Sequence, residues 1–366
     1  MDDAIAGPQG RDAFHAELAA AHMRGQWQNE QIRATGKGGV EEISKGVFGP
    51  KPGGAPHLWP WAQTRDFIER ARDVVPESFT SRRAVMFNNP GLAIGTTSGV
   101  NMGVQSIKPG ELAWAHRHSI SALRFVIEGG PALTTVVDGV EYPMEPNDLV
   151  LTPAWRWHDH HNAANAHGIW LDVLDGPIVG ALNQVFFETF GAERQPRDAG
   201  PLPAPENVLP ARGNKQMCFP WRDAERQLRA ATGALNPYDG VALEYCDPTT
   251  GAAIMPSLGC WLQMLRPGEA TLAHRHTSSA VYFVINGSGV TKVGDVEMTW
   301  GPRDCFAIPN WSWHNHRNVS ATDEAILFSV NDIPLVRQLG LYREEPTISL
   351  SRDIAPPLGG GFLRAP

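Results

Sequence analysis

Apolar residues in this chain fall mostly in short runs broken by Gly, Pro, Asn or Asp, the pattern of strands rather than long helices. Ala122 to Ile127 and Thr134 to Val140 read as strands in the first half. Ala280 to Ile285 and Val290 to Val296 read the same way in the second. Asp138-Gly139 is a hairpin signal of the type I′ kind. Several short strands at close spacing imply a sandwich or barrel. Helical spacing is rarer. Phe14, Leu18 and Ala21 predict an amphipathic N-terminal helix, Asp66 to Val74 a second, and Ile178 to Phe190 a third that leaves the first barrel.

The strand pattern occurs twice. Pro109-Gly110-Glu111 returns as Pro267-Gly268-Glu269, and His116-Arg117-His118 as His274-Arg275-His276. Trp157-His158 returns as Trp313-His314, Asn162 as Asn318, and Pro60-Trp61 faintly as Pro220-Trp221. The repeat of about 158 residues predicts one barrel per half. The expected layout is an N-terminal helical arm (1–80), a first barrel (81–192), a linker (193–215), a second barrel (216–350) and an irregular tail (351–366). Pro196, Pro201, Pro203, Pro205 and Pro210 stiffen the linker.

Composition narrows the function. A length of 366 residues suffices for two domains, and 37 glycines and 30 prolines suit many tight turns. The net charge of -8 offers no basic field for nucleic acid, so an anionic ligand would need a local cation. The four cysteines lack a CxxC spacing, which favours a reduced, cytoplasmic protein. No signal-peptide pattern opens the chain and no apolar run is long enough for a membrane span.

The histidines carry the chemistry. On a strand, His116 and His118 share one face while Arg117 takes the other. His158 arrives from a different strand, and the three can cap one metal from a barrel interior. Imidazoles suit Fe, Zn, Cu or Ni, so spacing alone does not choose the ion. Ordinary histidines on polar edges are the bland alternative, weakened by repetition of the whole set.

The strings PGELAWAHRHSISALRFVIEGG and LVLTPAWRWHDHHN resemble the gentisate and salicylate 1,2-dioxygenase family, a bicupin group, over about residues 80 to 345. That resemblance implies an all-β core of two cupin (double-stranded β-helix, jelly-roll) barrels with N-terminal and connecting helices. It also implies Fe(II), O2 as co-substrate and a homotetramer. Many cupins carry a Glu ligand shortly after the HxH pair, but here Ala122 and Leu123, or Ala280 and Val281, stand in its place. Three neutral ligands leave three positions on an octahedral ion. A salicylate-type acid can use two through carboxylate and phenolate, leaving one for O2.

Arg124 is the candidate for the acid's carboxylate, because Arg is a bidentate partner. On one straight strand it would sit about 20 Å from His118 at roughly 3.3 Å per residue. The small polar run Ser119-Ile120-Ser121 suggests a turn that folds it back towards the metal. A surface salt bridge is its alternative. His160, on the face of His158, is the candidate for proton exchange, although His316 repeats it and a structural role fits equally. Gln105 and Gly103 are further substrate candidates, Gly103 because the second half has Trp261 there. The resemblance adds an arginine near residues 81–83, assigned to Arg83. Asp172 could orient a ligand histidine, and His161 and His167 read as surface residues. In the second barrel, Tyr282 stands where Arg124 does, so His274, His276 and His314 are expected to bind metal weakly or structurally, without turnover. A metal-dependent isomerase or decarboxylase and a non-enzymatic bicupin remain as alternatives.

Overall fold

The computed structural model describes residues 8–23, 50–75, 83–197, 216–231, 235–346 and 362–363. The segment up to Pro50 is a unit by itself, in which helix α1 (Pro8–Ala20) ends where His22 adopts a positive φ of 54°. Phe14 is exposed and Leu18 is half-buried on this helix. Among the described residues no helix is long and apolar enough to cross a membrane.

From Lys51 onward the regular structure is mostly strand. It runs through β1 (His57–Trp59), helix α2 (Trp61–Val74), β2 (Arg83–Met86), β3 (Asn101–Ile107) and β4 (Leu112–His118). Next come β5 (Ala122–Glu128), β6 (Gly130–Val137), β7 (Val140–Met144), β8 (Leu149–Thr152) and β9 (His158–Asn162). Strand β10 (Gly168–Leu174), helix α3 (Gly176–Ala181) and β11 (Phe187–Thr189) complete the first half. The second half holds β12 (Cys218–Phe219), helix α4 (Trp221–Ala230), β13 (Leu235–Asn236), β14 (Gly240–Tyr245), β15 (Gly259–Leu265) and β16 (His274–His276). It continues with β17 (Ala280–Asn286), β18 (Gly289–Val293), β19 (Val296–Trp300), β20 (Cys305–Ile308) and β21 (His314–Asn318). Last come β22 (Ala325–Asn331), helix α5 (Ile333–Gln338), β23 (Glu344–Pro346) and β24 (Phe362–Leu363).

Each half forms two facing sheets, the double-sheet jelly roll of a cupin, left open rather than closed. The first pairs the order β12-β8-β5-β10-β3-β2 with β11-β4-β9-β6-β7. The second pairs β1-β20-β17-β22-β15-β14-β13 with β19-β18-β21-β16-β23. The faint Pro-Trp repeat marks a reciprocal exchange. Strand β1, before Pro60, pairs with β20 of the second barrel, while β12, before Pro220, pairs with β8 of the first. Each following helix is anchored where it starts: Trp61 N–H donates to Asp304 Oδ1 and Trp221 N–H to Asp148 Oδ1, both at 2.7 Å. A carboxylate there also complements the helix dipole.

The central strands explain their sequences. β5 and β17 are nearly continuous apolar runs because both faces are covered. Their outer faces meet between the barrels, where Phe125 stacks on Phe328 at 4.1 Å and meets Phe283 edge-on at 5.8 Å. This shared core ties the two halves together.

Four expectations require correction. The strand expected over Thr134 to Val140 is split into β6 and β7 by the Asp138-Gly139 turn. The helix expected over Ile178 to Phe190 is only Gly176–Ala181, ended by Asn183 at a positive φ of 54°. The following run then extends, because Phe187-Glu188-Thr189 pairs with β4. The strand expected over Val290 to Val296 is folded into a hairpin at Gly294-Asp295, with Gly294 at φ 57°. In the tail, Phe362 and Leu363 pair with Glu244 and Tyr245, whereas 351–361 lie outside the described residues. The Asp138-Gly139 turn has the positive φ at both positions (48° and 82°) that type I′ requires. Residues 198–215 of the linker also lie outside the described residues.

Candidate active site

The first histidine cluster is built where β4 and β9 pair. His116 lies directly across from His158, and the ring centroids are 4.2 Å apart. His118, two residues further along β4, brings its ring within 4.9 Å of His158. The candidate ligand nitrogens of His116, His118 and His158 all lie within 4.8 Å of one another. Each Nδ1 meets a backbone carbonyl: Trp114 O at 2.7 Å, Ile120 O at 2.6 Å and Arg156 O at 2.9 Å. A carbonyl only accepts, so each Nδ1 carries the proton and each Nε2 presents a lone pair. His158 Nε2 is buried without a hydrogen-bond partner. Burial pushes His116 down to about 3 and His118 to about 4, with the Arg124 charge adding to both. Neutral imidazoles with converging free lone pairs fit a divalent metal.

The outward residue between the two ligands was not singled out from the sequence, and its role is structural. Arg117 lies over the rings of Trp157 (4.3 Å) and Trp155 (6.0 Å) and pairs with Glu188 at 2.6 Å. Trp155 holds a positive φ of 66°, unusual for a bulky residue, and its N–H donates to His118 O at 2.7 Å. These contacts clamp the turn that delivers His158 to β4. Arg275 repeats them with Trp311 and Trp313 at 4.3 and 4.9 Å. The repeated HRH and WxWH strings were the available signal. The other motif residues also build turns: Gly110 adopts φ 78°, and Asn162 Nδ2 donates to Ala166 O at 2.8 Å.

The opposite sheet faces this cluster through β3, β10 and β5. Its register places Gly103, Asp172 and Arg124 in one row and Gln105, Trp170 and Val126 in the next. The polar Ser119-Ile120-Ser121 run does turn the chain, so Arg124 lies on the neighbouring strand's inner face and its charge is felt by His116, His118, His158 and His160. Arg124 is 4% exposed, donates to Thr152 Oγ1, and leaves its Nε 3.7 Å from Asp172 Oδ1. Among the described residues, buried Arg124 Nε, Gln105 Nε2 and Trp170 Nε1 have no hydrogen-bond partner, and neither does Asp172 Oδ1. His160 is buried, 5.3 Å from the Trp170 ring, with Nδ1 2.8 Å from Thr135 Oγ1. His316 makes the matching 2.8 Å contact with Thr291.

Three candidates have other parts to play. Arg83 pairs across β3 with Ser106, one residue out of phase with Gln105, so it takes the sheet's other face. There it grips Glu111 with Nη1 at 2.7 and 2.8 Å, so it is not a substrate contact; Arg82 lies outside the described residues. Gly103 opens no room for a ligand, because a Cβ there would meet Val85 O at 2.5 Å and Met86 Sδ at 2.6 Å. The missing side chain lets β2 approach. Asp172 is the counter-ion of Arg124 and bonds no histidine. Two residues that the sequence reading missed join the site: Trp170, above, and Phe187, stacked on His116 at 5.2 Å. Phe187 was hidden by the expected helix.

Comparison with known proteins gives a consistent result. The cupin domain model matches residues 103–174 and 261–331. The chain is 36% identical to 1-hydroxy-2-naphthoate 1,2-dioxygenase of Nocardioides sp. (strain KP7), over 94% of this chain and 90% of that protein. It is also 36% identical to 5-aminosalicylate 1,2-dioxygenase of Comamonas sp., over 91% of this chain and 90% of the other. Among solved structures, the gentisate adduct of salicylate 1,2-dioxygenase from Pseudoaminobacter salicylatoxidans superposes with a TM-score of 0.78 at 25% identity. That match covers 94% of this chain and 96% of the other.

Proposed function

The chain belongs to the gentisate and salicylate 1,2-dioxygenase family, and from that premise we propose that its first barrel opens the ring of a salicylate-type hydroxy acid. Cleavage falls between the carboxyl- and hydroxyl-bearing carbons, with O2 as co-substrate and Fe(II) held by His116, His118 and His158. The relatives named above are dioxygenases of 1-hydroxy-2-naphthoate and 5-aminosalicylate, and the similar solved salicylate dioxygenase holds gentisate. The acids differ at the far edge of the ring and share the adjacent carboxyl and hydroxyl.

The observation that carries this reading is the set of unpaired donors opposite the histidines. Arg124 Nε, Gln105 Nε2 and Trp170 Nε1 are buried with no acceptor among the described residues. Each such group costs about 1–3 kcal/mol when left unsatisfied. An acid entering between the two sheets offers oxygens to these donors, and its carboxylate suits the Arg124 fork. The ion at the three histidines would supply the redox chemistry for inserting O2 into the ring. Arg124 orients the acid by its carboxylate. Gln105 and Trp170 fix its plane by donating to its oxygens. His160, kept neutral by burial and with Nδ1 tied to Thr135, is the group placed to exchange a proton with the hydroxyl. The catalytic unit is thus the first barrel of residues 81–192, and the assembly proposed from the resemblance is a homotetramer.

An oxygen-electrode screen tests the proposal. Iron-loaded protein is given gentisate, salicylate, 5-substituted salicylates and 1-hydroxy-2-naphthoate in turn. At least one acid should drive uptake of one O2 per ring lost, read as decay of aromatic absorbance. No uptake with any of them contradicts the reading.

A further inference from the structure

The second barrel keeps the three histidines but surrounds them with different charges. His274 lies directly across from His314, with His276 completing a cluster whose candidate ligand nitrogens are within 4.8 Å of one another. His314 and His276 donate from Nδ1 to Ser312 O and Ser278 O, both at 2.9 Å. His314 Nε2 is left buried without a partner, like its counterpart His158. His274 differs, because its Nδ1 has no hydrogen-bond partner.

The neighbours do not repeat. The Arg124–Asp172 ion pair becomes Tyr282 beside Ser329, and the Tyr282 ring stacks on Phe306 at 4.7 Å. Directly across from His118 on the adjoining strand is Phe187, whereas directly across from His276 is Glu344. Paired residues point the same way from a sheet, so Glu344 joins His276 in lining the cavity. Its Oε2 accepts from Tyr342 Oη at 2.9 Å. Asp239 lines the same cavity, with Oδ1 accepting from Gln263 Nε2 at 3.0 Å. The remaining charged lining residue, Arg337, is exposed and lies over the Tyr342 ring at 4.8 Å.

We propose that His274, His276 and His314 form a second divalent-metal site, balanced by the protein's own carboxylates Asp239 and Glu344, which takes no aromatic acid. The charges dictate the difference. In the first barrel Arg124 and Asp172 cancel, so a 2+ ion on neutral imidazoles still needs a dianion, and a carboxylate with a phenolate supplies one. In the second barrel two carboxylates meet that need from within. They would also repel an anionic ring acid, and among the described residues no buried arginine lines this cavity to hold it. Burial and the neighbouring Glu344 together disfavour the charge on Asp239 in the absence of an ion, pushing its carboxyl up to about 7. A cation would relieve that cost. Metal binding at this site is independent of ring cleavage in the first barrel.

The test uses the full chain carrying His116→Ala and His158→Ala, titrated with Co(II) alone and followed by visible absorption. We expect one Co(II) per chain, a spectrum unchanged by added gentisate, and at least tenfold weaker binding when Glu344→Gln is added. A folded double variant that binds no Co(II), or whose spectrum gentisate shifts, overturns the proposal. An unchanged affinity on Glu344→Gln overturns the carboxylate balance. If the double variant does not fold, His274→Ala with His314→Ala in the otherwise unaltered chain decides the matter. Its Co(II) stoichiometry should fall from two per chain to one, and a stoichiometry equal to that of the unaltered chain is the contrary result.

Discussion

Across the inner sheet of the first barrel one row reads Gly103, Asp172, Arg124; across the second it reads Trp261, Ser329, Tyr282. The facing sheets, by contrast, are near copies, with His116 opposite His158 and His274 opposite His314. Even the supports recur, Arg117 under two tryptophans in one barrel and Arg275 under two in the other. The histidine strands are therefore a repeated frame. What surrounds them, the facing sheet and the edge strand beside them (Phe187 in one barrel, Glu344 in the other), decides what can approach the metal. A complete triad is necessary for chemistry and insufficient to define it.

The comparison can be broken most severely at the triad. His158→Ala removes the buried Nε2 that faces the other two ligands, so ring cleavage measured by O2 uptake should be abolished. Full activity in that protein would move the reaction to the second barrel.

Acid offers a test on both barrels at once. His116, His276 and His316 are pushed down to about 3 and His118 and His314 to about 4, all by burial first. The unfolded chain, with ordinary histidines near 6.5, therefore binds more protons as pH falls. Stability of the metal-free protein is full above about 6.5 and declines towards the folded values, by about 1.4 kcal/mol per pH unit for each histidine. Urea unfolding at pH 7, 6 and 5 should show this slope. His118→Ala and His314→Ala should each flatten it by the same amount, and unequal flattening would mean that the two interiors are not alike.

Arg124→Lys keeps the charge and loses the fork. It should lower kcat/KM by more than tenfold, about 1.4 kcal/mol or more. A change below twofold would mean that the cation does not read the acid. Smaller still is the effect of Arg117→Ala or Arg275→Ala. Each removes a stacked guanidinium worth about 0.5–2 kcal/mol, read as a lower Tm. Only Arg117→Ala should also slow ring cleavage, because its tryptophans carry the turn into His158. Equal slowing by Arg275→Ala would couple the two barrels.

Much of this was legible in the sequence because period-two alternation and repetition are local signals. The HxH pair, the distant third histidine and the turn that returns Arg124 all follow from them. What escaped depends on partners. The face of Arg83 is set by its register with Ser106, and register is a tertiary fact. The space at Gly103 is filled by Met86 from another strand. A short apolar run such as Val185-Phe186-Phe187 fits helix or strand equally, and pairing with β4 decided it. Glu344 and Asp239 lie in no motif, and only the fold gathers them beside His276.

The most direct measurement counts acid molecules. Under anaerobic conditions, with metal supplied to both barrels, calorimetric titration with a cleaved acid should give one bound acid per chain, lost on His116→Ala with His158→Ala. Two acids per chain, or one that survives those substitutions, would contradict the claim that the first barrel alone accepts the substrate.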